Sequence, residues 1–181
     1  MPTRFELSMR KRTKMASLNF AMPKSGENAI ATVRKAWALA ENVPFGKQIV
    51  SRLVGRLAPY TGTIGAQIVE LSEGRSKVVL EDRPAVRNHL KCIHAIALAN
   101  LAELAGNIAL AFSMPSDARF IVAGLSIDYK KKARGRITAE GRCPPIPSND
   151  KAEYDVHVTM RDEAGDVVAT SVLRTLVGPQ R

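Results

Sequence analysis

Asn88, His94 and Glu103 are the residues of this chain whose types and spacing could do chemistry. Around them runs an otherwise apolar stretch, Ile93-His94-Ala95-Ile96-Ala97-Leu98-Ala99-Asn100-Leu101-Ala102-Glu103. A helix of that composition should be buried, and a carboxylate in its middle is costly to bury unless it is paired or used. A carboxylate with an amide and an imidazole upstream is the pattern of a catalytic site. The plainer alternative is that Asn and Glu on a buried helix satisfy each other or a neighbouring backbone. Residue types alone leave both open.

The element that must carry these groups is one long helix. From Ile93 to Phe112 there is no proline and only Gly106 as a glycine, while the helix formers Ala and Leu dominate. Ser113-Met114-Pro115 is a plausible stop. Asn100, Glu103 and Asn107 are spaced i, i+3, i+7 and share one narrow face, with His94 about a third of a turn away at the helix start. The other faces carry Ile96, Leu98, Leu101, Leu104, Ile108, Leu110 and Phe112. Such a helix is either a core helix or a membrane span. A span would put Glu103 near the bilayer midplane, where an ionisable residue is expensive. The Ala-rich composition and the flanking strand patterns favour a core helix and no stable membrane insertion.

The rest of the chain supplies a sheet for that helix. Glu27 to Glu41 reads as an amphipathic helix, broken at Val43-Pro44-Phe45-Gly46, and Gly46 to Leu57 as a second short one. Thr63 to Leu71 and Arg75 to Asp82 read as strands flanking the turn Ser72-Glu73-Gly74. Arg83-Pro84 opens a loop that runs through Asn88 to the long helix. Beyond the helix the period changes to 2. Ile121, Ala123, Leu125, Ile127 and Tyr129 alternate with other residues. So do Ala133, Gly135, Ile137, Ala139 and Gly141, and then Tyr154, Val156, Val158 and Met160. Glu163-Ala164-Gly165-Asp166 makes a turn before a last strand, Val167 to Val177. Alternation of this kind predicts an antiparallel sheet with one buried face. The expected fold is α+β, a curved antiparallel sheet wrapped around one long central helix with an extra N-terminal helical segment. Residues 26–181 form the single expected domain, preceded by a basic tail or linker at 1–25. Edge strands and the helix face left uncovered argue for a homodimer.

The chain has 181 residues and a net charge of +10, which looks like a nucleic-acid signal until it is divided. Residues 1–60 hold 11 basic and 3 acidic side chains, residues 61–181 hold 16 and 14. The body is nearly neutral, and the basicity belongs to the front, including Arg10-Lys11-Arg12-Thr13-Lys14. No nucleic-acid motif accompanies it, and at 5% aromatic residues stacking platforms are scarce, so no nucleic-acid partner is expected. The front lacks the apolar region of a secretory signal, which points to the cytoplasm. Cys92 and Cys143 show no metal spacing and read as small buried hydrophobes, so no metal site is expected.

With these residues in order, the chain resembles the hotdog-fold acyl-CoA thioesterase superfamily, and in its motif the phenylacetyl-CoA thioesterase type. There an Asn precedes a His-Gly-Gly element and a helix carries an acidic residue a fixed distance on. Asn88, His94 and Glu103 fall at matching spacings. The run from Arg87-Asn88-His89-Leu90 through Glu103-Leu104-Ala105-Gly106 more closely resembles a bacterial hotdog branch carried as a domain of unknown function. Gly124-Leu125-Ser126-Ile127-Asp128-Tyr129 and Lys131-Lys132-Ala133-Arg134-Gly135 fit the same branch, and the likeness covers roughly residues 40–178.

The resemblance implies thioester hydrolysis, with Glu103 as general base or nucleophile and Asn88 orienting the water or the thioester. The backbone N–H groups near Ala95 and Ile96 would hold the oxyanion, and His94 would position the carbonyl or cap the helix. Asn100 joins the expected substrate contacts. Coenzyme A would enter as part of the substrate, with no separate cofactor, and Lys131, Lys132 and Arg134 would meet its phosphates. A carrier-protein thioester is the other expected substrate form, and a dimer of dimers the larger assembly. One departure stands out: Ala95 and Ile96 occupy the two glycine positions. They narrow the approach to the backbone while keeping its N–H donors. A non-catalytic acyl-CoA or lipid-binding module and a hotdog dehydratase are the competing readings.

Overall fold

Two backbone periods meet in the computed structural model, which describes residues 29–180. The expected tail at 1–25 lies outside the described residues. Helices α1 (Ala29–Ala40), α2 (Gly46–Leu57) and the short α3 (Pro59–Gly62) come first, then strands β1 (Gln67–Ser72) and β2 (Arg75–Leu80). A 3-10 turn at Pro84–Val86 leads to the long helix α4 (Ala95–Ser113), followed by β3 (Ala118–Tyr129), β4 (Ile137–Arg142), β5 (Ala152–Arg161) and β6 (Val167–Pro179). The six strands make one antiparallel sheet in the order β1-β2-β4-β5-β6-β3.

α4 lies across this sheet at backbone distance. A Cβ on Gly141 of β4 would stand 2.5 Å from the carbonyl oxygen of Ala105, and one on Gly106 would stand 2.9 Å from Leu173 of β6. The Ser76 hydroxyl on β2 donates to the same Ala105 oxygen at 2.7 Å. Leu98, Leu101, Ala102 and Ala105 fill the space against Ile137, Ala139, Val158, Met160 and Leu173, all buried. Each large side chain buried this way contributes roughly 1.5–3 kcal/mol. By length and composition α4 could cross a bilayer, but 67% of its apolar window is buried inside the fold.

The remaining helices close the other side. Arg34 of α1 donates to the carbonyl oxygens of Ala111 and Met114 at the C-terminal end of α4 and lies over the Phe112 ring. α2 clasps the outer edge of β1: Lys47 Nζ donates to the Val69 oxygen (2.7 Å), and the Ile68 N–H donates to Ser51 Oγ (2.9 Å). One edge of the sheet is thus covered, whereas β3 forms the other edge, with β6 on its inner side and no strand on its outer side among the described residues.

Three expected strands differ in detail. β1 starts at Gln67 and not at Thr63, because Pro59 opens the helical turn α3 and Gly65, at φ 62°, ends the connection. β4 starts at Ile137, since Gly135 at φ 69° holds the preceding residues in a loop. In β3 a register shift between Val122 and Gly124 swaps the faces. Phe120, Val122 and Ile127 therefore pack on the core while Ile121, expected on the same face as Ile127, is 67% exposed. A bulge of this kind leaves no mark in the period of the residues.

Replacing Gly141 by Ala should cost about 1–3 kcal/mol of stability or more, because the added methyl meets helix backbone and not a movable side chain. Urea denaturation of the variant beside wild type measures it.

Candidate active site

The start of α4 is built by a loop whose polar groups are nearly all used. Asn88 Oδ1 accepts from the N–H of Leu90 (2.9 Å), the N–H of Cys92 (3.4 Å) and the Cys92 thiol (3.4 Å), so it closes the turn 88–92, where Lys91 stands at φ 55°. The N–H of His94 donates to the Val86 oxygen and that of Ile93 to the Ala133 oxygen. Asp82, its side chain 12% exposed, ties the junction together: it accepts from Arg87 Nε at 2.6 Å and from the Gly135 N–H at 3.0 Å. The hydrogen bond from Arg87 holds the Asp82 carboxyl below its ordinary range against the opposing effect of burial.

His94 is the N-cap of α4, its Nδ1 accepting from the Ile96 N–H at 3.0 Å. That bond uses the Ile96 donor and, in the neutral ring, leaves the proton on Nε2. The Leu98 N–H is bonded to the His94 oxygen. The donors left without a partner among the described residues in this first turn are the N–H groups of Ala95 and Ala97. Tyr129 Oη donates to the Ala95 oxygen at 3.0 Å, anchoring the end of β3 to the same turn, and burial pushes its phenol above the usual value.

Asn100 and Glu103 do not satisfy each other. Asn100 is buried, with Nδ2 donating to the Tyr60 oxygen of α3 at 3.1 Å and Oδ1 unpartnered. Glu103 is half-buried, and no ion pair or hydrogen bond engages its carboxylate among the described residues. It shares the open face of α4 with Ile96, which is 55% exposed. A cleft of about 390 Å³ beside this face is lined by Tyr60, Thr63, Arg87, His94, Ile96 and Asn100 among others. His94, Ile96 and Asn100 thus come together; Glu103 follows one turn along the helix, and Asn88, held in its own turn, does not line the cleft. Sequence reasoning missed Tyr60, Arg87 and Ala97. Arg87 and Ala97 are immediate neighbours of residues singled out above, whereas nothing in the period marks Tyr60.

The basic cluster is largely neutralised. Lys131 Nζ sits between Asp162 (2.7 Å) and Asp166 (2.6 Å), and Arg136 pairs with Glu81 (2.8 Å). Lys132 and Arg134 are exposed and carry no ion pair among the described residues. Both thiols are shielded: Cys92 is buried, and burial pushes Cys143 up to about 11. Among the described residues no three His, Cys, Asp or Glu side chains gather as a metal site would need.

A six-stranded antiparallel sheet curved around one long helix is the hotdog fold. The profile of a domain of unknown function (DUF4442) matches residues 46–177, and the chain belongs to that family. Among solved structures, a structural-genomics protein is 27% identical, with a TM-score of 0.70 over 82% of this chain and 99% of its own. A protein of unknown function from Pseudomonas aeruginosa, described as a probable thioesterase, is 23% identical, with a TM-score of 0.64 over 76% of this chain and 97% of its own. A thioesterase family protein from Silicibacter pomeroyi is 16% identical, with a TM-score of 0.62 over 76% of this chain and 100% of its own. No curated protein matches the chain.

Asp82 gives this region an acid sensitivity of defined sign. A carboxyl whose folded pKa is depressed contributes stability above its unfolded value, about 3.9, and loses it as pH falls through the folded one. Thermal melts from neutral to acid pH should show the melting temperature dropping below about pH 4, with a shallower drop in Asp82→Asn.

Proposed function

We propose that this protein is an acyl-CoA thioesterase that uses Glu103 as general base. The observation that carries the reading is the half-buried, unpartnered Glu103 on the open face of a core helix whose first turn offers unused donors. The thioesterase names of the solved neighbours agree with it. Water attacks the thioester carbonyl carbon while Glu103 takes its proton. The N–H groups of Ala95 and Ala97, with His94 Nε2–H, stabilise the tetrahedral oxyanion, helped by the positive end of the helix dipole. The C–S bond then breaks, the thiolate takes the proton back from Glu103, and the acid and the free thiol leave. From Ala97 to Glu103 the helix rises about 9 Å, too far for direct contact and about the span of a carbonyl and a water, which favours the base over the nucleophile. Asn88 supports this machinery by holding the turn that delivers His94. Lys132 and Arg134, unlike Lys131, have charge to spare for the phosphates of coenzyme A.

The working unit of this reading is a homodimer joined at β3, the open edge, where Leu125 and Tyr129 are exposed on the side of the helix. A second copy there would cover the face that bears Ile96 and Glu103. Sedimentation should give twice the chain mass for wild type and a lighter species for Leu125→Lys.

Thiol release from a panel of short, long and aromatic acyl-CoAs tests the chemistry. Glu103→Gln should fold normally by circular dichroism and lose about 10²–10⁴-fold in kcat. Ile96, standing where the related motif has glycine and with its N–H already taken by His94, favours the non-catalytic acyl-CoA-binding alternative. Tight binding without turnover by wild type on every substrate would establish that alternative.

A further inference from the structure

The N-terminal helix α1 lies outside the stretch matched by the family profile, which begins at residue 46. It is nonetheless firmly attached. Arg34 grips the last carbonyls of α4 and the Phe112 ring, and Val33, Ala36, Trp37 and Ala40 are buried, with Lys47 of α2 over the Trp37 indole. Between this helix and the core lies an open-mouthed chamber of about 210 Å³. Ile30 and Val33 of α1, Val54 and Leu57 of α2, Phe112 of α4 and Phe120 of β3 give it an apolar wall. Its polar lining includes Asn107, whose buried Oδ1 has no partner among the described residues. Asn107 is one helical turn beyond Glu103 on the same stripe.

Ligand pockets are concave and mostly apolar with a few polar groups, and burying hydrocarbon against such a wall is favourable. A chamber of this size next to the candidate base is shaped for a hydrocarbon. We propose that it is the seat of a linear acyl chain, entered past Asn107 from Glu103, so that α1 sets the chain length this protein accepts. An apolar cavity of about 150 Å³ takes a six-carbon benzene, so this one holds about eight carbons. The direction of entry rests on the thioesterase reading; the seat itself does not.

The test is equilibrium binding of S-alkyl-CoA thioethers, which cannot be hydrolysed, from ethyl to hexadecyl, to the full chain. Affinity should rise about fourfold per methylene as far as octyl and then level off. Val33→Trp, which fills the chamber, should make the series level off at a shorter chain; Phe120→Ala, which enlarges it, should move the limit to a longer one. The readout is where the series breaks, and Phe120→Ala keeps the test if Val33→Trp fails to fold. An affinity independent of chain length, or a limit that neither substitution moves, overturns the seat. So does a chain-length dependence that appears only after residues 1–25 are removed, since the chain's own front would then be the occupant. Turnover measured in parallel separates the two readings. If Glu103→Gln still hydrolyses acyl-CoA while the break at octyl persists, the base falls and the seat stands. Lost turnover with a flat series has the opposite meaning.

Discussion

The structure depends on one contact, the seating of α4 against bare sheet backbone at Gly141. Because the Ala105 carbonyl is pressed on β4 and held by Ser76, the helix cannot roll about its axis. Residues two apart on a helix point about 200° from one another. Pinning Ala105 on the sheet therefore turns Glu103 to the opposite side. The position of the only carboxylate on this helix follows from a glycine on a strand and a serine on its neighbour, both far away in sequence. The packing of Gly106 against Leu173 and Val158 adds area to the same constraint.

The long helix, the two N-terminal helices and the succession of strands along the chain are legible in the sequence because each rests on a period. The helix shows it through Ala and Leu at every turn, and β5 through alternation. What was not legible is what depends on a single residue or on a distant partner. The bulge in β3 reverses the faces of Ile121 and Ile127 without disturbing the residue types. Capping by His94 withdraws the Ile96 N–H and leaves those of Ala95 and Ala97 as the donors, a matter of one side-chain rotation. Lys131 reads as a free cation until the β5–β6 turn folds Asp162 and Asp166 onto it.

The same limits apply to the candidate site. Glu103 stands out because a carboxylate among alanines and leucines is improbable without a reason. Tyr60 and Arg87 do not, since a tyrosine after a proline and an arginine in a loop are ordinary. They become neighbours of His94 only when α3 and the 82–94 connection fold against the helix start. The Asp82–Arg87–Gly135 junction is a support of this kind: it holds the loop before the helix and the loop before β4 in register, while its residues read separately as surface charge and turn.

The two edges of the sheet are unequal, and this bears on polymerisation. β1 has its Ile68 N–H and Val69 C=O taken by Ser51 and Lys47, whereas β3 has no strand on its outer side among the described residues. A strand laid against β3 finds a template; one laid against β1 finds side chains in the way. Edge-to-edge growth through these sheets can therefore proceed by a single step. Two chains joined through their β3 strands would present only sealed edges to a third, and a fibre built by repeated strand addition has no second end from which to grow.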